Sequence, residues 1–322
     1  MPSPAEPLTT TVRLKRLASR RNIIGFAIGV VLLAVAVWVA GSHEQALSDA
    51  WTKARSAPWW LVGLALLLPA LNWIATSIVF IILNRRYAKV TGSEMHALIG
   101  AAWMLNYLPM RPGMFGRMAW HRKYHGITIP QSAKVIGWSM LASAIAFAGL
   151  LVPALVFEQT RSDAWTAAAA AAVGFGGLAG LALVTRDGND LTQRLWAASV
   201  VRYVDAIVWA ARYATVFALV GRPISPGEAV ALAIVSQAAM TIPLAGNGLG
   251  LREWAIGALA AVLPSEAFGG RGMDGAAVGV ATDLVHRGLE VVTALAVSSV
   301  CMVWLERIRR RRARNTPDIT GT

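Results

Sequence analysis

Six ionisable residues lie where the chain is otherwise apolar, and they fall into two groups. Arg202, Asp205 and Arg212 are spaced by three and seven positions, and Asp283, Arg287 and Glu290 by four and three. Each set therefore lies along one face of a helix. Charges within an apolar helix are costly and mark either ion pairs or functional sites, and both readings stay open. Three positive charges balance three negative ones, which suits a network that ties helices together. Alternatively Arg287, with Arg252 and Arg212, contacts a phosphate, because the planar guanidinium fork engages two phosphate oxygens at once. Arg111 and Arg117 either gather anionic headgroups or follow the usual excess of cations in inner loops of membrane proteins.

Other chemistry finds little support. His121 and His125 are four apart, but no third histidine or nearby carboxylate in the sequence completes a metal site. His286 beside Asp283 has the composition of a general base for a lipid-phosphate phosphatase, yet nothing specific supports that reading. No Ser/His/Asp constellation, P-loop or dinucleotide fingerprint occurs. No catalytic residue, cofactor or metal is expected. Cys301 is the single cysteine, which excludes an internal disulfide. Asn72 and Asn106 read as amides that hydrogen-bond between helices.

The elements that must hold these residues are membrane helices. Of 322 residues, 56% are hydrophobic and only 15% charged, and the mean hydropathy is +0.53. Soluble domains carry roughly 25% charge, so too little polar surface exists here to cover a soluble globule. The formal net charge of +13 flanks apolar blocks rather than forming a nucleic-acid motif, so no nucleic acid is expected. Apolar stretches at 23–41, 59–83, 131–157, 163–184, 197–220 and 276–305 approach or exceed the roughly 20 residues that cross hydrocarbon. The first is longer than a signal-peptide core and reads as an uncleaved helix. Trp59, Trp60, Trp165, Trp196 and Trp304 fall near helix ends, as an interfacial belt requires.

Two further apolar segments, 96–110 and 228–243, are too short to cross and run into similar clusters. One is Pro109-Met110-Arg111-Pro112-Gly113-Met114-Phe115-Gly116-Arg117. The other runs from Pro243 through Gly246, Asn247, Gly248 and Gly250 to Arg252 and Glu253. Proline removes a backbone donor and glycine frees the dihedrals, so each cluster ends one half-helix and starts another. Within a membrane such breaks survive only against protein or a watery cavity, which makes each a re-entrant hairpin. With the basic N-terminus inside, Arg85, Arg86, Lys89, Arg111, Arg117 and the Arg-rich tail also fall inside, whereas Lys53, Arg55, Arg161, Arg222, Arg252 and Arg271 fall outside. The hairpins then enter from opposite faces.

The expected fold is all-α and polytopic, with about six crossing helices and two re-entrant hairpins. A cytoplasmic segment 1–22 precedes a membrane domain 23–305, and a cytoplasmic tail 306–322 follows. Within the domain, repeat one (59–157), a linking helix (163–184) and repeat two (197–305) form inverted repeats, an architecture that places substrate where the repeats meet.

Both clusters resemble motifs of the lysylphosphatidylglycerol synthase transmembrane region, the flippase-like domain family. The family patterns N-x-L-x-P-x-R-x-G-E-x-x-R and P-x-x-x-G-G-L-G-x-R-E resemble, without matching at every position, Asn106-Tyr107-Leu108-Pro109-Met110-Arg111 onward and Pro243 through Glu253. The family's glutamate after the first glycine is Met114 here, and its charged third-helix pattern is replaced by Gly137-Trp138-Ser139-Met140-Leu141. Its arginine on the last helix is matched by Arg287. The resemblance implies a bacterial inner-membrane flippase for a phosphate-bearing lipid, either an aminoacylated phosphatidylglycerol or a polyprenyl-phosphate-linked glycan. It also leaves open an accessory subunit partnered by a lipid synthase or glycosyltransferase.

Overall fold

The computed structural model describes residues 20–42, 44–108, 111–160, 164–186, 190–241, 246–263 and 265–315. Pro109, Pro243, Arg161, most of the basic N-terminal segment and the last seven residues lie outside the described residues. Those described form eleven α-helices and two short 3-10 turns, without a strand. The helices are α1 (Arg20–Ser42), α2 (Glu44–Ser56), α3 (Trp59–Asn84), α4 (Gly92–Leu105), α5 (Pro112–His125), α6 (Ile129–Thr160), α7 (Ala164–Val184), α8 (Asp190–Leu219), α9 (Pro226–Thr241), α10 (Leu251–Val262) and α11 (Met273–Asn315).

By length and composition, three of the described helices can cross a membrane: the spans Trp59–Asn84, Ile129–Leu155 and Met273–Arg314. Two more carry shorter apolar stretches, Ala27–Trp38 and Ala171–Val184. Although 30 residues long, α8 is absent from the apolar set because Arg202, Asp205 and Arg212 punctuate it. Between the expected helices 23–41 and 59–83, α2 adds a 13-residue amphipathic helix. It carries no long apolar run to betray it. The last helix extends to Asn315, past the expected end at 305, because arginine is a good helix former.

Two sets of four helices build the core. In the first half α4 packs on α3 and α5, and in the second α9 packs on α8 and α10. Across the halves α3 lies along α8, α4 lies along α11, and α9 lies along α6. These principal pairings persist when α3–α6 are exchanged for α8–α11, since α3 with α11 matches α8 with α6. The α4–α11 contact is close: a Cβ on Gly100 would run into the Cys301 thiol. Ser298 also donates to the Gly100 carbonyl, at 2.8 Å.

Contacts at the two ends of the bundle fix its sense. At one end Arg86 meets Asp190 at 3.9 Å, joining the end of α3 to the start of α8. Arg312 on the tail of α11 meets Glu94 at the start of α4, and Glu94 meets His125 at the end of α5. At the other end Arg222, after α8, donates to the Ala267 carbonyl between α10 and α11. The α4–α5 hairpin thus has both its outer ends at one end of the bundle, and the α9–α10 hairpin has its own at the opposite end.

Candidate functional site

The two breaks are built differently. Asn106 closes α4, and its side-chain oxygen accepts from the Met114 amide at 2.9 Å, supplying a cap to the first turn of α5. Gly113 is required there because a Cβ would strike the Ala102 carbonyl. Arg111, the residue before α5, is left-handed with φ 49°. At the second break a 3-10 turn spans Gly246–Gly248, Asn247 is left-handed at φ 47°, and Gly250 at φ 79° precedes α10. A Cβ on Gly250 would collide with the Gly29 carbonyl of α1.

The breaks touch. Arg111 Nη2 donates to the Met240 carbonyl at 2.6 Å, bridging the first break to the last turn of α9. Tyr107 Oη, one residue past Asn106, donates to Glu290 on α11 at 2.8 Å.

Around this junction the two expected charge groups join into one network. Arg202 pairs with Asp205 at 2.7 Å and also donates to Ser139 and Thr76. Asp205 accepts from Asn72, whose carbonyl accepts from Arg212, so Asn72 makes the interhelical bonds its type suggested. Arg212 lies over the Trp209 ring and donates to Glu290 at 2.7 Å. Arg252 then links Glu290 to Asp283, with both bonds at 3.0 Å. Tyr213 and His286 complete the surroundings of Asp283, at 3.1 and 3.4 Å. Arg252 had been assigned to an outer loop by charge counting. It is instead wholly buried on α10.

One member has hydrogen-bonding capacity to spare. Arg287 is ion-paired through its Nε to Glu253 on α10 and stands 5.9 Å from the Tyr107 ring. It is 6% exposed, yet neither of its terminal nitrogens has a hydrogen-bond partner among the described residues. A buried donor without a partner costs roughly 1–3 kcal/mol, and more on a charge. Arg212 and Arg252, by contrast, each donate to a carboxylate through a terminal nitrogen, although Arg252 Nη2 also has no partner among the described residues.

The family described as Lysylphosphatidylglycerol synthase TM region matches residues 22–204, more than half of the chain. The chain belongs to that family. No curated protein and no solved structure matches it. The family match covers α3 to α6 and their break, and ends within α8, so the second break and the Arg252–Glu253 pair rest on their own motif and geometry. Family membership and the apolar helices make the chain a multi-pass membrane protein with a lipid-related setting.

Several positions were not signalled by sequence. Tyr107 and Tyr213 sit beside residues that drew attention, but a lone tyrosine in an apolar run has no distinguishing pattern. Glu94 is a second case. It is 1% exposed and accepts from Trp120 at 2.5 Å, His125 at 2.9 Å and Arg312 at 2.7 Å. The fold thus supplies His125 with the carboxylate that its sequence neighbours lack. No group of three metal-binding side chains forms among the described residues. Neighbouring His121 is buried with both ring nitrogens unpartnered among the described residues. Burial, followed by the Arg117 charge, pushes its pKa down to about 4. Arg117 lies over the Phe80 ring at 3.8 Å, and Gly116 faces open space.

Proposed function

We propose that the chain moves a phosphate-bearing lipid between leaflets, with Arg287 taking the phosphate where the two broken helices meet. The observation that carries this is the buried Arg287 fork, whose terminal nitrogens lack partners among the described residues. A lipid phosphate is a bidentate acceptor suited to them. The paired packing of α3–α6 and α8–α11, with hairpins opening toward opposite ends, supports inverted repeats, the arrangement by which transporters expose one central site to either side in turn. The N- and C-termini are then cytoplasmic and the membrane is the bacterial inner membrane.

Glu253 holds Arg287 through its Nε, which leaves both terminal nitrogens for a lipid phosphate. No catalytic step is required. His286 is wedged between the Trp209 and Tyr213 rings at 6.0 and 4.6 Å, an environment that favours packing over hydrolysis.

Liposomes containing the full chain and a fluorescent anionic phospholipid should exchange that lipid between leaflets faster than empty ones. Arg287→Ala should slow the exchange roughly tenfold or more, the worth of one lost charge-assisted pair. Arg287→Lys, which keeps a cation beside Glu253 but not the planar fork, should also slow exchange at a melting temperature close to the parent's. Failure to accelerate exchange of both phosphatidylglycerol-based and polyprenyl-phosphate probes would overturn the reading.

A further inference from the structure

A second cluster of cations stands far from Arg287. Arg309 lies 22 positions further along the continuous α11, about 33 Å away at 1.5 Å per residue. There the tail of α11 and the last turn of α5 enclose an open pocket of about 930 Å³. Lys123, Arg309, Arg310 and Arg312 line it with Tyr124 and His125, and no carboxylate lines it among the described residues. Four cations around one cavity repel one another, so their placement requires an explanation.

The wall is held in place rather than loosely solvated. Arg312 and Lys123 share the Tyr124 ring, at 5.1 and 5.2 Å. Arg312 and His125 are both fixed from behind by the buried Glu94. Arg309 and Arg310 reach Glu306 at 2.8 Å but are 60% and 73% exposed. Exposed pairs of that kind are worth about 0–1 kcal/mol, so Glu306 does not commit either guanidinium against a stronger acceptor. Trp304, an interface-seeking residue, precedes Arg309 by five positions, about 7.5 Å along the helix. The pocket is therefore level with lipid headgroups.

We propose that this pocket is a separate binding site for a phosphate group carrying more than one negative charge, a phosphomonoester or pyrophosphate, presented by a lipid headgroup. Glu94 and Glu306 offset two of the four positive charges, so one anionic charge leaves one uncompensated, whereas a doubly charged phosphate engages both exposed forks and Lys123 together. The site does not depend on Arg287 or on lipid movement.

The test uses the full chain in an Arg287→Ala background, so that the central site does not contribute. Native mass spectrometry with phosphatidic acid should show one bound lipid, and phosphatidylglycerol at the same concentration should occupy the site several-fold less. Lys123→Ala with Arg309→Ala and Arg310→Ala should lower phosphatidic acid occupancy roughly tenfold or more, equivalent to at least one charge-assisted contact. Arg310→Glu, at a position too exposed to disturb folding, should give a several-fold loss by itself. Equilibrium dialysis with inorganic pyrophosphate separates the sources. Pyrophosphate binding that the triple variant abolishes, without phosphatidic acid binding, keeps the phosphate site but overturns the lipid assignment. Unchanged occupancy in both variants, or equal occupancy by the two lipids, overturns the proposal.

Discussion

The two broken-helix hairpins begin from the same chemistry and place their charges at opposite ends. Counting from each cap, the second and third residues are Gly113 and Met114 in α5, but Arg252 and Glu253 in α10. The second hairpin drives a cation and an anion into the middle of the bundle, where both are fully buried. The first contributes Tyr107 and Arg111 to that centre and keeps its own carboxylate, Glu94, at the outer rim. One hairpin therefore has its ion pairs at its tip and the other at its base. The first tip meets the centre through the Tyr107 and Arg111 hydrogen bonds, and the second tip carries the charged site.

The harshest way to break this comparison is Arg252→Ala. It leaves Asp283 and Glu290 buried with one cation fewer each, a change worth roughly 3–5 kcal/mol. The variant should lose most of its cooperative melting in detergent. Arg287→Lys should not, because it keeps the cation that pairs with Glu253 in the described structure. Equal thermal losses for the two would mean that the buried site has no functional arginine distinct from its structural one. Next in size is Gly113→Val. The added side chain meets the Ala102 backbone, which cannot swing aside as a flexible side chain would. The expected loss is about 1–3 kcal/mol. Crosslinking between cysteines placed in α4 and α5 should report the forced separation.

How far the sequence reached follows the same division. The breaks were legible because proline and glycine act locally, and the apolar blocks were legible by length. Arg202, Asp205, Arg212, Asp283 and Glu290 stand out as ionisable residues in apolar runs, whereas Arg252, which joins them, does not. The connections of the network were not legible. Arg252 sits beside glycines and reads as loop, and only the packing of α10 on α11 buries it. Glu94 looked like an isolated acid at a helix start, yet it binds Arg312, 218 residues away. Such partners depend on how long helices are brought together, which no local window encodes. The amphipathic α2 was missed for a different reason. It is too short and polar to stand out among apolar spans.

At the rim, Glu94→Gln should act more gently, since Arg312 is a third exposed and regains water. Burial by itself would raise the Glu94 pKa. The hydrogen bonds from His125 and Trp120 and the charges of His125 and Arg312 outweigh it, and hold the carboxyl below its ordinary value of 4.5. A lowered carboxylate stabilises the fold above its unfolded pKa and loses that contribution as pH falls through the folded one. Acidification below about pH 4.5 should therefore loosen the first hairpin's base while the parent is intact. Hydrogen exchange in 112–125 should rise over that range in the parent. In Glu94→Gln it should already be raised at pH 7 and change less. A parent hairpin indifferent to acid would place its anchor elsewhere.

The mildest change tests whether the first tip is held at all. Asn106→Ala removes the side-chain oxygen that accepts from the Met114 amide, which keeps the Arg111 carbonyl as an acceptor at 2.9 Å, and the cap residue Arg111 supplies no side-chain cap hydrogen bond. Loss of such a cap costs about 1 kcal/mol. That is too little to unfold the bundle but enough to fray the start of α5. Because Arg111 and Tyr107 flank the same turn, fraying there weakens their hold on Met240 and Glu290 without touching Arg252. Lipid exchange should then fall while the melting temperature hardly moves. Asn106→Asp, which keeps the acceptor at a helix N-terminus, should restore most of the exchange. If both variants exchange lipid like the parent, the first hairpin's tip is a spectator and the second hairpin alone defines the site.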